Sequence, residues 1–155
     1  MTTKAAFNAD EWSVVSSAPS LAALMVIAAE RGGTVRESLA AQRMFSETLA
    51  GEPGELVREV LTSPSPLEPD QRPRTADDVG ATAQGTLRRA IGILERVGTD
   101  DEVVEYKRFV YALAEAVARA HKEGGFLGFG GKEVSQREQS VLDEIAAIFD
   151  ERQVG

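Results

Sequence analysis

The sequence predicts an all-α fold: a single helical bundle of about six to seven helices. Three observations carry this expectation. Alanine, leucine, glutamate and arginine dominate, whereas strand formers are sparse, with one tryptophan, two tyrosines and no sustained alternation of Val, Ile and Thr. Apolar residues recur at helical spacing in nearly every segment between glycines and prolines. Several of those segments open on a capping residue with glutamate three positions later. At 155 residues and 43% hydrophobic content, residues 1–155 read as one domain able to bury a substantial core.

The elements follow in order. Asn8 is an N-cap with Glu11 three residues on, opening a short helix through Trp12 and Val15. Pro19 is expected to end or kink it, after which Leu21, Leu24, Met25 and Ala28 form an apolar stripe to about residue 30. Gly32 and Gly33 stop that stripe, and Thr34 with Glu37 forms the capping box of the next helix, whose inner face is Leu39, Phe45 and Leu49. Residues 51–54 end it. A shorter helix over residues 55–61 carries Leu56, Val57, Val60 and Leu61.

Residues 62–74 hold four of the six prolines and read as a surface connector. From Thr75, with Asp77 and Asp78 suiting the helix dipole, the stripe Val79, Ala83, Leu87, Ile91, Leu94 and Val97 defines another helix. Gly80, Gly85 and Gly92 lie within it and are expected to permit close helix approach. After Gly98, Thr99 and Glu102 form a further capping box. Val103, Tyr106, Val110, Leu113, Val117 and Ala120 then make the longest clean stripe, that of a central helix. The last helix packs through Val141, Leu142, Ile145, Ile148 and Phe149.

Charge and composition narrow the function classes. The chain carries 25 acidic and 17 basic side chains, net −8, and its arginine pairs Arg72/Arg74 and Arg88/Arg89 have no interleaved aromatics, so a nucleic-acid partner is not expected. There is no cysteine for a disulfide, a thiol nucleophile or a thiolate metal site. Residues 1–8 lack the pattern of a signal peptide, and the longest apolar run, residues 21–29, is short of a membrane span. A cytoplasmic protein without a membrane partner is the expectation.

The segment 123–138 is the most distinctive, with five glycines and the apolar Phe126, Leu127 and Phe129 between two helices. It is not a phosphate loop, because Glu133 follows Gly131-Lys132 where Ser or Thr is needed, and a helix precedes it where a strand should. Phe126, Leu127 and Phe129 either tuck beneath the helices or face a partner. His121, the only histidine, stands near a helix end without a nucleophile to serve or a second histidine to share a metal. No catalytic constellation is visible, so no enzyme activity is expected. Glu30 and Glu37 flank one corner and Glu123, Glu133 and Glu138 the other; capping and solvation account for them, as exposed helix positions account for Glu115 and Glu144.

The two corners share an order: an alanine-rich helix, a double glycine, a cap with glutamate three residues on, and another helix. Residues 26–37 show it directly and residues 117–138 show it with an insertion, which points to a pseudo-twofold repeat of helical hairpins. Over residues 106–149, an alanine-rich helix, a glycine turn and Val134-Ser135-Gln136-Arg137-Glu138 resemble the TerB-like tellurite-resistance family, whose turn runs Asp-Gly, a small gap, Val or Ile, a cap and Glu. The resemblance implies an all-helical fold of paired hairpins and turns that bind a divalent cation, with Glu138 at the family glutamate and Glu37 its counterpart. Gly32-Gly33 and Gly130-Gly131 stand where the family turn carries aspartate. The functional expectation is a non-catalytic interaction module without a cofactor, binding a protein partner or a second copy. The alternatives are a divalent-cation or stress-response protein using Glu37 and Glu138, and an apolar small-molecule binder sealed by Phe126 and Phe129.

Overall fold

In a computed structural model, the described residues are 1–29, 34–63, 76–122 and 136–151, and they form helices with no strand among them. After a short 3-10 turn, Lys4–Ala6, come α1 (Ala9–Ala29), α2 (Thr34–Ala50), α3 (Glu55–Thr62), α4 (Ala76–Val97), α5 (Asp100–Lys122) and α6 (Gln136–Asp150). The all-α bundle expected from the sequence is present. Residues 64–74 of the proline-rich connector, residues 123–135 of the glycine-rich corner and the side chain of His121 lie outside the described residues, whereas Thr62 belongs to α3.

Two helices share the centre. α1 packs most extensively on α4, α5 on α2, and α1 and α5 touch each other and every other α-helix. Leu21, Leu87, Ile91, Leu113 and Ile145 are among the fully buried side chains where these helices meet. The α5 stripe of Val103, Tyr106, Val110, Leu113, Val117 and Ala120 is buried along its whole length. α6 closes over α1, α4 and α5, and Arg88 grips Glu151 through two hydrogen bonds of 3.0 and 3.2 Å from α4.

The expected capping boxes at the two helix starts with described side chains are formed. Asn8 and Glu11 exchange backbone-to-side-chain hydrogen bonds of 3.1 and 2.8 Å, and Thr99 and Glu102 do the same at 2.9 and 3.3 Å. Glu102 does more than cap. Its carboxylate also accepts the Thr2 N–H at 2.7 Å and the Thr2 hydroxyl at 2.6 Å, clasping the start of the chain to α5. Burial pushes the Glu102 carboxyl up, but these hydrogen bonds from Thr2 and Thr99 outweigh it and hold the group at about 2.

Three expectations are corrected. The first concerns Pro19, which does not end the first helix. It lies inside α1, which continues without interruption for 21 residues. Proline has no N–H to give the carbonyl four residues earlier, that of Val15. Here the buried Tyr106 hydroxyl, reaching from α5, donates to that carbonyl at 2.6 Å. A distant side chain thus replaces the missing helical bond.

The resulting helix is apolar all round, as a core helix must be. With a mean hydropathy of 1.7 over its most apolar stretch, α1 is long and apolar enough to cross a membrane by length and composition alone, but 67% of that stretch is buried inside the bundle.

The second correction concerns α2. Leu39 and Leu49 belong to its outer side, 55% and 36% exposed, and not to an inner face; Ala41, Met44 and Phe45 make the contact with the core. The third concerns the glycines of α4. A Cβ built on Gly80 or Gly85 meets nothing within 4 Å, so neither residue permits a close helix approach.

Candidate functional site

α2 differs from its neighbours in how little of it is covered. Every residue of α2 whose side chain is described, from Leu39 onward, is half-buried or exposed. The helix leans on α5 through Phe45, whose ring centroid lies 6.0 Å from that of Phe109 at an interplanar angle of 47°. One aromatic contact with Ala41 and Met44 beside it anchors the helix, leaving its outer stripe in water. Met1, Leu39, Leu49 and Val104 are the exposed large apolar residues among those described, and two of these four stand on α2.

Beside that stripe runs a groove between α2 and α5, lined by Ala40, Arg43, Met44 and Glu47 on one wall and Ala116, Arg119 and Ala120 on the other. The alanines make it. A larger side chain at any of those three positions would fill the space between the helices. Its volume of about 120 Å³ suits one inserted side chain. A pocket for an organic cofactor or drug-sized ligand needs at least about 300 Å³. Arg43, Glu47 and Arg119 line its rim, giving this edge a border of mixed charge. Arg119 is paired along its own helix with Glu115 at 3.3 Å, whereas Arg43 makes no ion pair among the described residues.

The residues singled out in the sequence fall differently. Phe126, Leu127 and Phe129 lie outside the described residues, as does the side chain of Glu37, although its backbone is in α2. Glu138 sits in the first turn of α6 and is 2% exposed, not solvated. Glu144 is exposed as expected and accepts a hydrogen bond from Gln84 at 3.2 Å. Among the described residues no group of three or more His, Cys, Asp or Glu is placed to hold a metal ion.

The α2 face escaped the sequence reading because helical spacing marks which residues are apolar, not which have a neighbour to cover them. The one available signal was the row Leu39, Arg43 and Glu47, spaced four apart, which puts two charges in line with a leucine. No family model, no characterised protein and no solved structure matches the chain.

Proposed function

We propose that this protein is a non-catalytic interaction module of the cytoplasm that docks a protein partner on the outer face of α2 and the adjoining edge of α5. The observation that carries this reading is Leu39, left 55% exposed on a helix that buries none of its described side chains fully, beside a groove sized for one side chain. Exposed aliphatic side chains next to an apolar slot with a charged border are the usual composition of a docking patch. The mixed rim of Arg43, Glu47 and Arg119 favours a partner segment that is apolar and carries charges of both signs.

A photoreactive amino acid at position 39, with the exposed position 89 on α4 as control, tests the reading in cells. A crosslinked product from position 39 and none from position 89 is expected. No product at 39, or equal yields at both sites, overturns it. A metabolite turned over at a defined rate by the purified protein, and lost in Glu138→Ala, would displace the non-catalytic part.

The TerB-like resemblance supplies a second reading, a divalent-cation protein of the stress-response kind. What favours it is Glu138, a carboxylate withdrawn from solvent next to the corner that carries the resemblance. Calorimetry with calcium, magnesium and zinc decides it: heat that disappears in Glu138→Gln supports the reading, and no heat at millimolar metal ends it.

A further inference from the structure

We infer that the partner which covers α2 is a second copy of this chain, with the two α2 helices antiparallel about a twofold axis at the level of Phe45. This rests on the docking reading above and identifies its occupant.

The argument comes from the order of residues along the outer stripe. A twofold axis perpendicular to a helix reverses its direction, so positions equally far before and after the axis face each other, and each flank of the helix meets the same flank of its mate. Helical spacing puts Arg43 and Glu47 on one flank of α2, two residues to either side of Phe45, and both are exposed. The symmetry therefore sets Arg43 of each copy opposite Glu47 of the other, and this happens twice. Within one copy these two residues form no ion pair, so both charges are available for the other copy.

The same register serves the apolar positions. Leu39 comes to lie opposite Ala50 and Gly51 of the second copy, so a large side chain meets two small residues, the last of α2 and the turn residue after it. A Cβ placed on Gly51 would meet only the backbone of its own helix, so the outer side of that residue is open to receive the leucine. Shifting the pairing by about one turn, four residues either way, sets Arg43 against Arg43 or Glu47 against Glu47. One register thus satisfies both the charges and the large-to-small fit.

Sedimentation equilibrium of the full chain across about 1–300 µM is the test. A monomer–dimer equilibrium in that range is expected. Arg43→Glu and Glu47→Arg, each checked for an unchanged circular dichroism spectrum, should weaken it about tenfold or more, because symmetry makes each reversal create two repulsive pairs. The double variant R43E/E47R should return to within about threefold of the parent, because both cross-pairs are rebuilt with their signs exchanged.

As a second readout, Ser46→Cys, close to the axis and the chain's sole thiol, should oxidise to a disulfide-linked dimer, while Arg89→Cys should not. A strict monomer throughout, or a dimer indifferent to both reversals, overturns the inference. If that monomer still crosslinks to another protein through position 39, the docking reading survives without the self-association. If position 39 traps nothing at all, both fall.

Discussion

Replacing Tyr106 by phenylalanine tests the central packing argument through one atom. The Tyr106 hydroxyl is buried and donates to the Val15 carbonyl at 2.6 Å, the carbonyl left unserved because Pro19 has no N–H. Removing the oxygen leaves that buried carbonyl without its donor, which costs about 1–3 kcal/mol. For a domain of this size that lowers the melting temperature by about 2–10 °C.

The decisive step is to repeat the change in a Pro19→Ala background. Alanine at position 19 restores an N–H in register with Val15, so the carbonyl keeps a partner when the phenol is gone. The cost of Tyr106→Phe should then fall by about 1 kcal/mol or more, giving a measurable coupling between residues far apart in sequence. Urea unfolding followed by the fluorescence of Trp12, the single tryptophan, reads all four proteins of the cycle. Equal costs in both backgrounds, within about 0.3 kcal/mol, would refute the replacement of the helical bond by the phenol.

The remaining expectations concern other contacts. Glu102 is held at about 2, below its ordinary 4.5, so the stability it contributes is complete above about pH 4.5 and is lost as pH falls toward about 2. Discounted for its partial exposure this is about 1–2 kcal/mol, and Glu102→Gln should flatten the acid limb of the urea midpoint between those limits; an unchanged limb removes the assignment. Burial also pushes the Tyr106 phenol up, so the folded protein keeps a proton that the unfolded chain releases above about pH 10. Stability should therefore fall as pH rises beyond that value, and Tyr106→Phe should remove this component. Gly85→Ala, exposed in the middle of α4 with open space where the methyl group would go, should stabilise by about 0.5–1 kcal/mol in thermal unfolding, and a loss of stability would show that the position is crowded.

These contacts also show what was legible in the sequence. The boxes at Asn8 and Glu11 and at Thr99 and Glu102 are local chemistry, complete within four residues, and they formed as the sequence indicates. The buried α5 stripe was equally legible, because one face of a helix repeats within its own turns. The continuity of α1 was not legible, since the group that rescues the Val15 carbonyl comes from a tyrosine 91 residues away. Nor was the outward placement of Leu39 and Leu49, because a stripe does not reveal whether another helix lies over it. Glu138 marked its helix start correctly as a first-turn acid, but its burial depends on tertiary packing that spacing does not encode.

The central claim is that the outer face of α2 is bare in a single copy and covered by association. Because the chain has no native cysteine, Leu39→Cys places a unique thiol on that face, and its maleimide labelling rate can be followed against protein concentration. Labelling near the free-thiol rate at low concentration, slowing as the protein is concentrated, is the expected result, with Leu87→Cys in the core protected throughout. A thiol at position 39 that is protected at every dilution would contradict the account.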